Sequence, residues 1–225
     1  MPSFRNRRYG NIRYVARSAD RSAQGEALSR AVWSVLAEQG LERLTVRAVA
    51  AAAGCTTGLV MHRFPNRQAL LLHARRLLHE TTRARVESLE SSAAGPRAAL
   101  RAILRQGMAL DEQTRQEAIV WMGFLAAAVT DDDLIEEHRR NNRAWRARIE
   151  RLVAAAAPEW TPERVATVAL ALITMTEGVA AYAAADPGAF PAAAQEAMLD
   201  AALTAHDLAP DPHRLASPST CPELP

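Results

Sequence analysis

Apolar side chains recur along this chain with the period of a helix over most of its length. Over residues 21–39 the positions Leu28, Ala31, Val32, Val35 and Leu36 share one face, and Gly40 follows where a left-handed C-cap belongs. Thr45 caps a second helix whose inner face is Val46, Val49, Ala50 and Ala53, and Gly54 stops it after a short run. Thr56 caps a third short helix that carries Leu59 and Val60 inward and ends near Phe64 and Pro65. Two short helices about a tight glycine-containing turn predict a helix-turn-helix.

Asn66 then caps a long fourth helix running to about Glu90, after which Ser91, Ser92, Gly95 and Pro96 mark a loop and a domain junction. Further helical patterns cover residues 96–110, 113–129, 131–157, 162–184 and 190–206. Asp131, Asp132 and Asp133 suit a helix start, where carboxylates face the positive end of the macrodipole. Beyond Asp207 the prolines predict disorder, and there is no internal repeat. The expected organisation is a flexible arm over residues 1–20, a three-helix helix-turn-helix domain over 21–66, a helical domain over 67–206 entered through the long helix, and a disordered tail over 207–225.

Composition strengthens the helical reading. The chain is rich in Ala, Leu, Arg and Glu and sparse in the β-branched and aromatic residues of strands, so the fold class is all-α. The net charge of +2 hides an asymmetry: residues 1–86 hold 15 Arg against 5 acids (+10), and residues 87–225 hold 12 Arg against 20 acids (−8). A basic front half suits a polyanionic partner. All 27 basic residues are Arg, as the codon bias of a GC-rich genome produces.

Two cysteines far apart, Cys55 and Cys221, suit a reducing compartment rather than a disulfide. Residues 1–20 are Arg-rich without the apolar core of a signal peptide. The apolar stretch 165–185 contains Thr167, Thr174, Thr176 and Glu177, which reads as a buried interface helix rather than a membrane span. A cytoplasmic protein without a membrane partner is expected.

Within residues 45–67 each anchor of the motif has a physical task. Ala50 is small where the next helix crosses, Gly54 allows the positive φ of the turn, and Val60 fills the wedge between the helices. Together with Glu38, Gln39 and Gly40 at the end of the first helix, Thr45-Val-Arg opening the second, and Phe64-Pro-Asn-Arg before the fourth, these residues resemble the DNA-binding signature of the tetracycline-repressor (TetR) family. The resemblance spans roughly residues 25–75. Two positions depart from the family pattern, Met61 where an aromatic is usual and Arg67 where Lys is usual. Arg67 keeps the charge and can grip a phosphate bidentately. Met61 lacks the hydroxyl for a phosphate contact, but its thioether can touch a thymine methyl.

The resemblance implies phosphate anchoring by Thr45, Thr56 and Arg67, and base reading by Arg47, Thr57, Met61 and His62, with Gly58 letting the third helix approach the groove. For the polar members a solvated face is the alternative. The Arg-rich arm either enters the adjacent minor groove or is an unstructured extension.

In the C-terminal half, Met108-Ala-Leu-Asp-Glu-Gln, Val120-Trp-Met-Gly-Phe and Asn142-Arg-Ala-Trp resemble the BetI subgroup of the family. Met108, Trp121, Met122, Phe124, Leu125, Trp145 and Met175 either line a pocket between helices or belong to the core. Glu177 on an apolar helix needs an Arg or a cationic ligand as partner, unless it is exposed or lies between subunits. The last two helices are Ala-rich and resemble the family's dimerisation helices, which implies a homodimer on a pseudo-palindromic operator.

The six histidines, His62, His73, His79, His138, His206 and His213, form no ligand pair at zinc-site spacing, so neither a metal nor a cofactor is expected. Cys55 in the turn reads as a small apolar filler or as an oxidation-sensitive position. No nucleophile with a base and no phosphate-cradling Gly-rich loop is present, which argues against an enzyme. The expected function is a sequence-specific DNA-binding transcriptional regulator, a repressor released from its operator by a small-molecule effector. The alternative is a helical protein-binding adaptor with incidental DNA contact.

Overall fold

The computed structural model describes the backbone of residues 7–210 and the side chains of residues 23–210. Among these residues there are helices and turns but no strand, and the chain divides into two compact units that meet between Leu77 and Leu78.

In the first unit α1 (Arg7–Gln39) buries the face read from its periodicity, with Leu28, Ala31, Val32, Val35 and Leu36 inside. It extends back to Arg7, so most of the stretch expected as a flexible arm is helical instead. Arg and Ala favour helix there, and Gly10 alone does not break it. Gly40 has φ 77° and ψ 177°, a conformation open to glycine but extended rather than the left-handed helical cap expected. A short 3-10 turn, Leu41–Arg43, leads to the fully buried Leu44 and then to α2 (Val46–Ala53).

The Thr45 hydroxyl oxygen accepts the Ala48 N–H at 3.1 Å, and Gly54 closes α2 in the left-handed region with φ 62° and ψ 33°. α3 (Thr57–Arg63) starts in the same way, with Thr56 Oγ1 accepting the Leu59 N–H at 3.3 Å. Its Val60 is wholly buried, and Phe64 ends it. α4 (Arg67–Ser92) starts at Asn66, whose Oδ1 accepts the Ala69 N–H at 2.8 Å. Within the first unit α4 meets α1 through Ser29 and His73, 3.0 Å apart, and the His73 ring lies 4.8 Å from that of Phe64.

The second unit takes the rest of α4 and α5 (Pro96–Gln106), α6 (Glu112–Ala128), α7 (Asp132–Ala156), α8 (Pro162–Ala185) and α9 (Ala192–Ala205). Its main core joins Leu100, Ile103 and Leu104 of α5, Ile149 and Val153 of α7, Leu172 of α8 and Leu199 and Leu203 of α9. Each such side chain contributes about 1.5–3 kcal/mol by leaving water. A smaller cluster of Ala109, Ala118, Ala180, Ala183 and Ala184 lets α6 and α8 approach closely.

Ion pairs clip the helices together from outside. Arg101 holds Asp200 at 2.6 and 2.9 Å, Arg85 holds Glu117 at 3.0 and 2.8 Å, and Glu90 accepts from Arg148 and Arg151 at 3.0 and 2.6 Å. The wholly buried Gln195 donates to the carbonyls of Ala109 and Phe190 at 2.7 and 2.9 Å and accepts the Ala109 N–H at 3.1 Å. That clamp explains why α5 stops at Gln106 rather than near residue 110: the backbone of Ala109 is committed to a side chain of α9.

The disordered tail expected from residue 207 also needs correction at its start. Asp207 turns into the left-handed region (φ 53°), the Leu208 N–H returns to the Leu203 carbonyl at 2.8 Å, and Leu208 is fully buried in the main core. Cys221 and His213 lie outside the described residues. α8 is long and apolar enough by length and composition to cross a membrane, and half of its most apolar window is buried inside the chain.

Candidate nucleic-acid interface

All eight positions assigned to DNA, Thr45, Arg47, Thr56, Thr57, Gly58, Met61, His62 and Arg67, are exposed. The fold puts them there through the opposite faces of the same helices. Val49 and Ala50 pull α2 inward and Val60 pulls α3 inward, so Thr57, Gly58, Met61 and His62, spaced one helical turn apart, are left pointing out. Thr45 and Thr56 use an oxygen lone pair to cap, which leaves each hydroxyl proton free to donate.

Electrostatics favours an anion here. None of α2, α3 and α4 carries an acid in its first turn, so the positive ends of these helices are not neutralised by the chain itself. Arg47 lies in the first turn of α2, and Arg67 is the first residue of α4. A cation at a helix start is unfavourable until an anion joins it. Arg67 Nη2 donates to the Leu41 carbonyl at 3.3 Å, which holds the guanidinium on the exposed side of the turn with most of its donors unused.

Sequence reasoning passed over two further exposed cations, Arg43 in the 3-10 turn and Arg63 in the last turn of α3. Arg63 Nη2 lies 3.9 Å from where a Cβ on Gly25 would stand, so the guanidinium reaches back over α1 where that helix carries no side chain. Their signal was in the charge pattern around the motif.

The residues assigned to a ligand pocket separate. Met108 and Phe124 are fully buried, and Trp145 and Met175 pack, partly buried, against the main core that contains Met108. Met122 packs on the alanine cluster, and the Trp121 ring lies 5.8 Å from that of His138 on α7. Leu125 is corrected: at 42% exposed it points away from the interior, because the last turns of α6 present one flank to solvent. Glu177 stands at the margin of the buried face of α8, between buried Ile173 and Ala180 and exposed Thr174, with no hydrogen-bond or ion-pair partner among the described residues. Burial pushes its carboxyl above the usual range. Besides Gln195, the polar residues of the interior that were not foreseen are Arg75 of α4 and Glu137 and Asn141 of α7; the last two lie 3.3 Å apart, and Glu137 also accepts from Arg140 at 2.9 Å.

With this geometry in place, the likeness to known proteins is specific. Residues 30–74 match the family model for bacterial regulatory proteins of the tetR family, and residues 96–207 match that for the BetI-type transcriptional repressor, C-terminal. The chain is 33% identical over 120 residues to the HTH-type transcriptional regulator BetI of Stenotrophomonas maltophilia (strain R551-3), covering 52% of this chain and 61% of that protein. It spans 60–61% of the length of the curated relatives it matches. A solved transcriptional regulator from Rhodococcus sp. Rha1 is 32% identical with a TM-score of 0.72, covering 80% of this chain and 94% of that one. A Saccharomonospora viridis structure in complex with choline superposes with a TM-score of 0.74 over 81% of this chain and 96% of its own; at 14% identity the likeness is one of fold.

Proposed function

This chain belongs to the tetR family of bacterial regulatory proteins, and from that premise we propose that it is a DNA-binding transcriptional repressor released from its operator by a small-molecule effector. The observation that carries the reading is the exposed face of α3, bordered by helix starts that hold no acid. On DNA, Thr45, Thr56 and Arg67 anchor phosphates, while Arg47, Thr57, Met61 and His62 meet base edges across the space beside Gly58. Arg43 and Arg63 add charge to the same unit.

The working form is a homodimer through α8 and α9. Leu170 and Tyr182 of α8 and Met198 of α9 are large apolar side chains left exposed, which supports burial of those helices against a second copy. A two-fold dimer reads a pseudo-palindromic operator with one α3 in each half-site. The effector occupies the helical second unit near Trp145 and Met175, which are partly buried against Met108, with Trp121, Met122, Phe124 and Glu177 as further candidates. It acts by binding the DNA-incompetent conformation more tightly, since equal affinity for both conformations shifts nothing. The protein works in the cytoplasm and carries out no catalytic step in this reading.

The test is fluorescence anisotropy with the DNA upstream of the chain's own coding sequence and with an unrelated fragment, at two salt concentrations. The expected result is selective binding that weakens steeply with salt as counterions are released. Equal binding to both fragments, together with no sequence enriched from a random library, overturns the reading.

A further inference from the structure

Met61 is the one large hydrophobic side chain that the first unit leaves exposed among its described residues, at 53%; Leu28, Val32, Val35, Leu36, Leu44, Val49, Val60, Phe64, Leu70 and Leu71 are all buried. The other large apolar groups described in this unit, Trp33, Leu41, Val46, Leu59, Leu72 and Leu77, are at least half-buried, so the one that is presented has a use on the surface. Its neighbours narrow that use. The exposed face of α3 is Thr57, Gly58, Met61 and His62. The other exposed residue of α3, Arg63, turns its guanidinium back toward Gly25 of α1, so this outward face holds no Arg, Lys, Asn or Gln, the side chains that pair bidentately with guanine or adenine in the major groove. What it offers is one hydroxyl, one imidazole and a polarisable thioether.

Gly58, one turn before Met61, points to the same conclusion. A Cβ built there meets only the Thr56 hydroxyl, at 3.9 Å, and Gly58 has an ordinary negative φ. The protein's own packing and backbone therefore do not require glycine at this position, and glycine weakens a helix relative to alanine. A surface approaching closely from outside does require it.

Resting on the regulator reading above, we propose that α3 reads thymine by its C5-methyl group, with Met61 as the reader and Gly58 as the gap that lets the helix come near enough. The thymine methyl is the one apolar group on a base edge in the major groove, and burying it against an exposed thioether removes apolar surface of both from water. The preferred half-site then carries an A·T pair facing Met61, and guanine is read from Arg47 on α2 rather than from α3.

The test begins with an operator selected by the full-length protein from random-sequence DNA. Each thymine of both half-sites is replaced in turn by deoxyuridine, which differs from it only in lacking the methyl group. In wild type, one position per half-site should lose about fourfold in affinity, the worth of one buried methyl. Met61→Ala should lower affinity for the parent operator and abolish the distinction between thymine and deoxyuridine there; Met61→Leu should keep it. At that position 5-methylcytosine should bind more tightly than cytosine. Gly58→Ala should weaken operator binding at least tenfold while leaving the thermal midpoint unchanged or raised.

The inference is overturned if no thymine in an enriched operator shows methyl dependence, if the dependence persists in Met61→Ala, or if Gly58→Ala binds like wild type. If the library yields no enriched sequence at all, the regulator reading itself fails, an outcome distinct from methyl-independent binding to an enriched operator.

Discussion

The two units treat the starts of their helices in opposite ways. In the first, α2, α3 and α4 begin at neutral caps, Thr45, Thr56 and Asn66, and none of these three helices has an acid in its first turn. In the second, α6 and α7 begin at Asp111 and Asp131, and the first turns of α6, α7 and α8 contain Glu112, Asp132 with Asp133, and Glu163. The Thr114 backbone N–H and hydroxyl hold the Asp111 carboxyl below the ordinary carboxylate range, and Glu163 is lowered by its own backbone N–H and by Thr161. One unit neutralises most of its dipoles for stability, while the other leaves positive ends open to an anion from outside. Arginines divide in the same way. Arg85 and Arg101 of the second unit form inter-helix pairs with Glu117 and Asp200 and others there pair along their own helix, whereas Arg43, Arg47, Arg63 and Arg67 of the first face solvent and Arg75 is buried.

The strongest way to break this contrast is to write the second unit's pattern into the first. Arg47→Glu combined with Arg67→Glu places carboxylates at the starts of α2 and α4, and operator affinity should fall by more than about 100-fold. The thermal midpoint should hold or rise, because an acid at a helix start is worth about 0.3–1 kcal/mol to the fold. Anisotropy and thermal denaturation on one sample read both, and a parallel loss of binding and stability would mean that these arginines serve folding.

Gln195→Leu comes next, on the side built for stability. It leaves the N–H and carbonyl of Ala109 without their side-chain partner, and should lower the unfolding free energy by about 2–3 kcal/mol in urea. A loss below about 0.5 kcal/mol would show that water replaces the clamp.

The caps give a smaller and sharper comparison. Asp111→Ala and Thr45→Ala should each cost about 1 kcal/mol at neutral pH. Only the first should depend on pH. The folded pKa of Asp111 is depressed, so its contribution is present above its unfolded value and is lost as pH falls through the folded one. Urea titrations at pH 7 and at about pH 3 should show the Asp111 effect shrinking while the Thr45 effect stays.

The smallest expected change is a gain. The folded pKa of Glu177 is raised by burial, so the protonated form favours folding at low pH and that advantage is lost as pH rises through the folded value. Glu177→Gln should therefore be more stable than wild type at pH 7.5 and indistinguishable from it at about pH 4. A variant less stable at pH 7.5 would show that the charge has a partner in solution, for example across the dimer.

Much of the first unit was legible in the chain because its determinants are local. Thr45, Gly54, Thr56 and Asn66 act on backbone groups a few residues away, and the buried faces of α1, α2 and α3 repeat with the helical period. The exposure of the positions proposed to meet DNA follows from the same period. The second unit was legible as helices but not as a site. Phe124 and Leu125 are adjacent and equally apolar, yet one is buried and the other exposed. Glu137 and Asn141 of α7 are buried although nothing in their local sequence marks them for the interior. Leu208 looked like the first residues of a tail and instead closes the core.

The sequence by itself determined the basic and acidic halves, and it determined most of the helices, the caps at Thr45, Gly54, Thr56 and Asn66 and the outward face of α3, since these depend on neighbours within one or two turns. Only the tertiary structure decided which flank of α6, α7 and α8 faces the interior, where α5 stops and where Leu208 docks. Those outcomes depend on groups far apart in sequence, Ala109 with Gln195, Arg101 with Asp200 and Leu208 with the α5–α7–α9 core, whose proximity is set by packing rather than by local period.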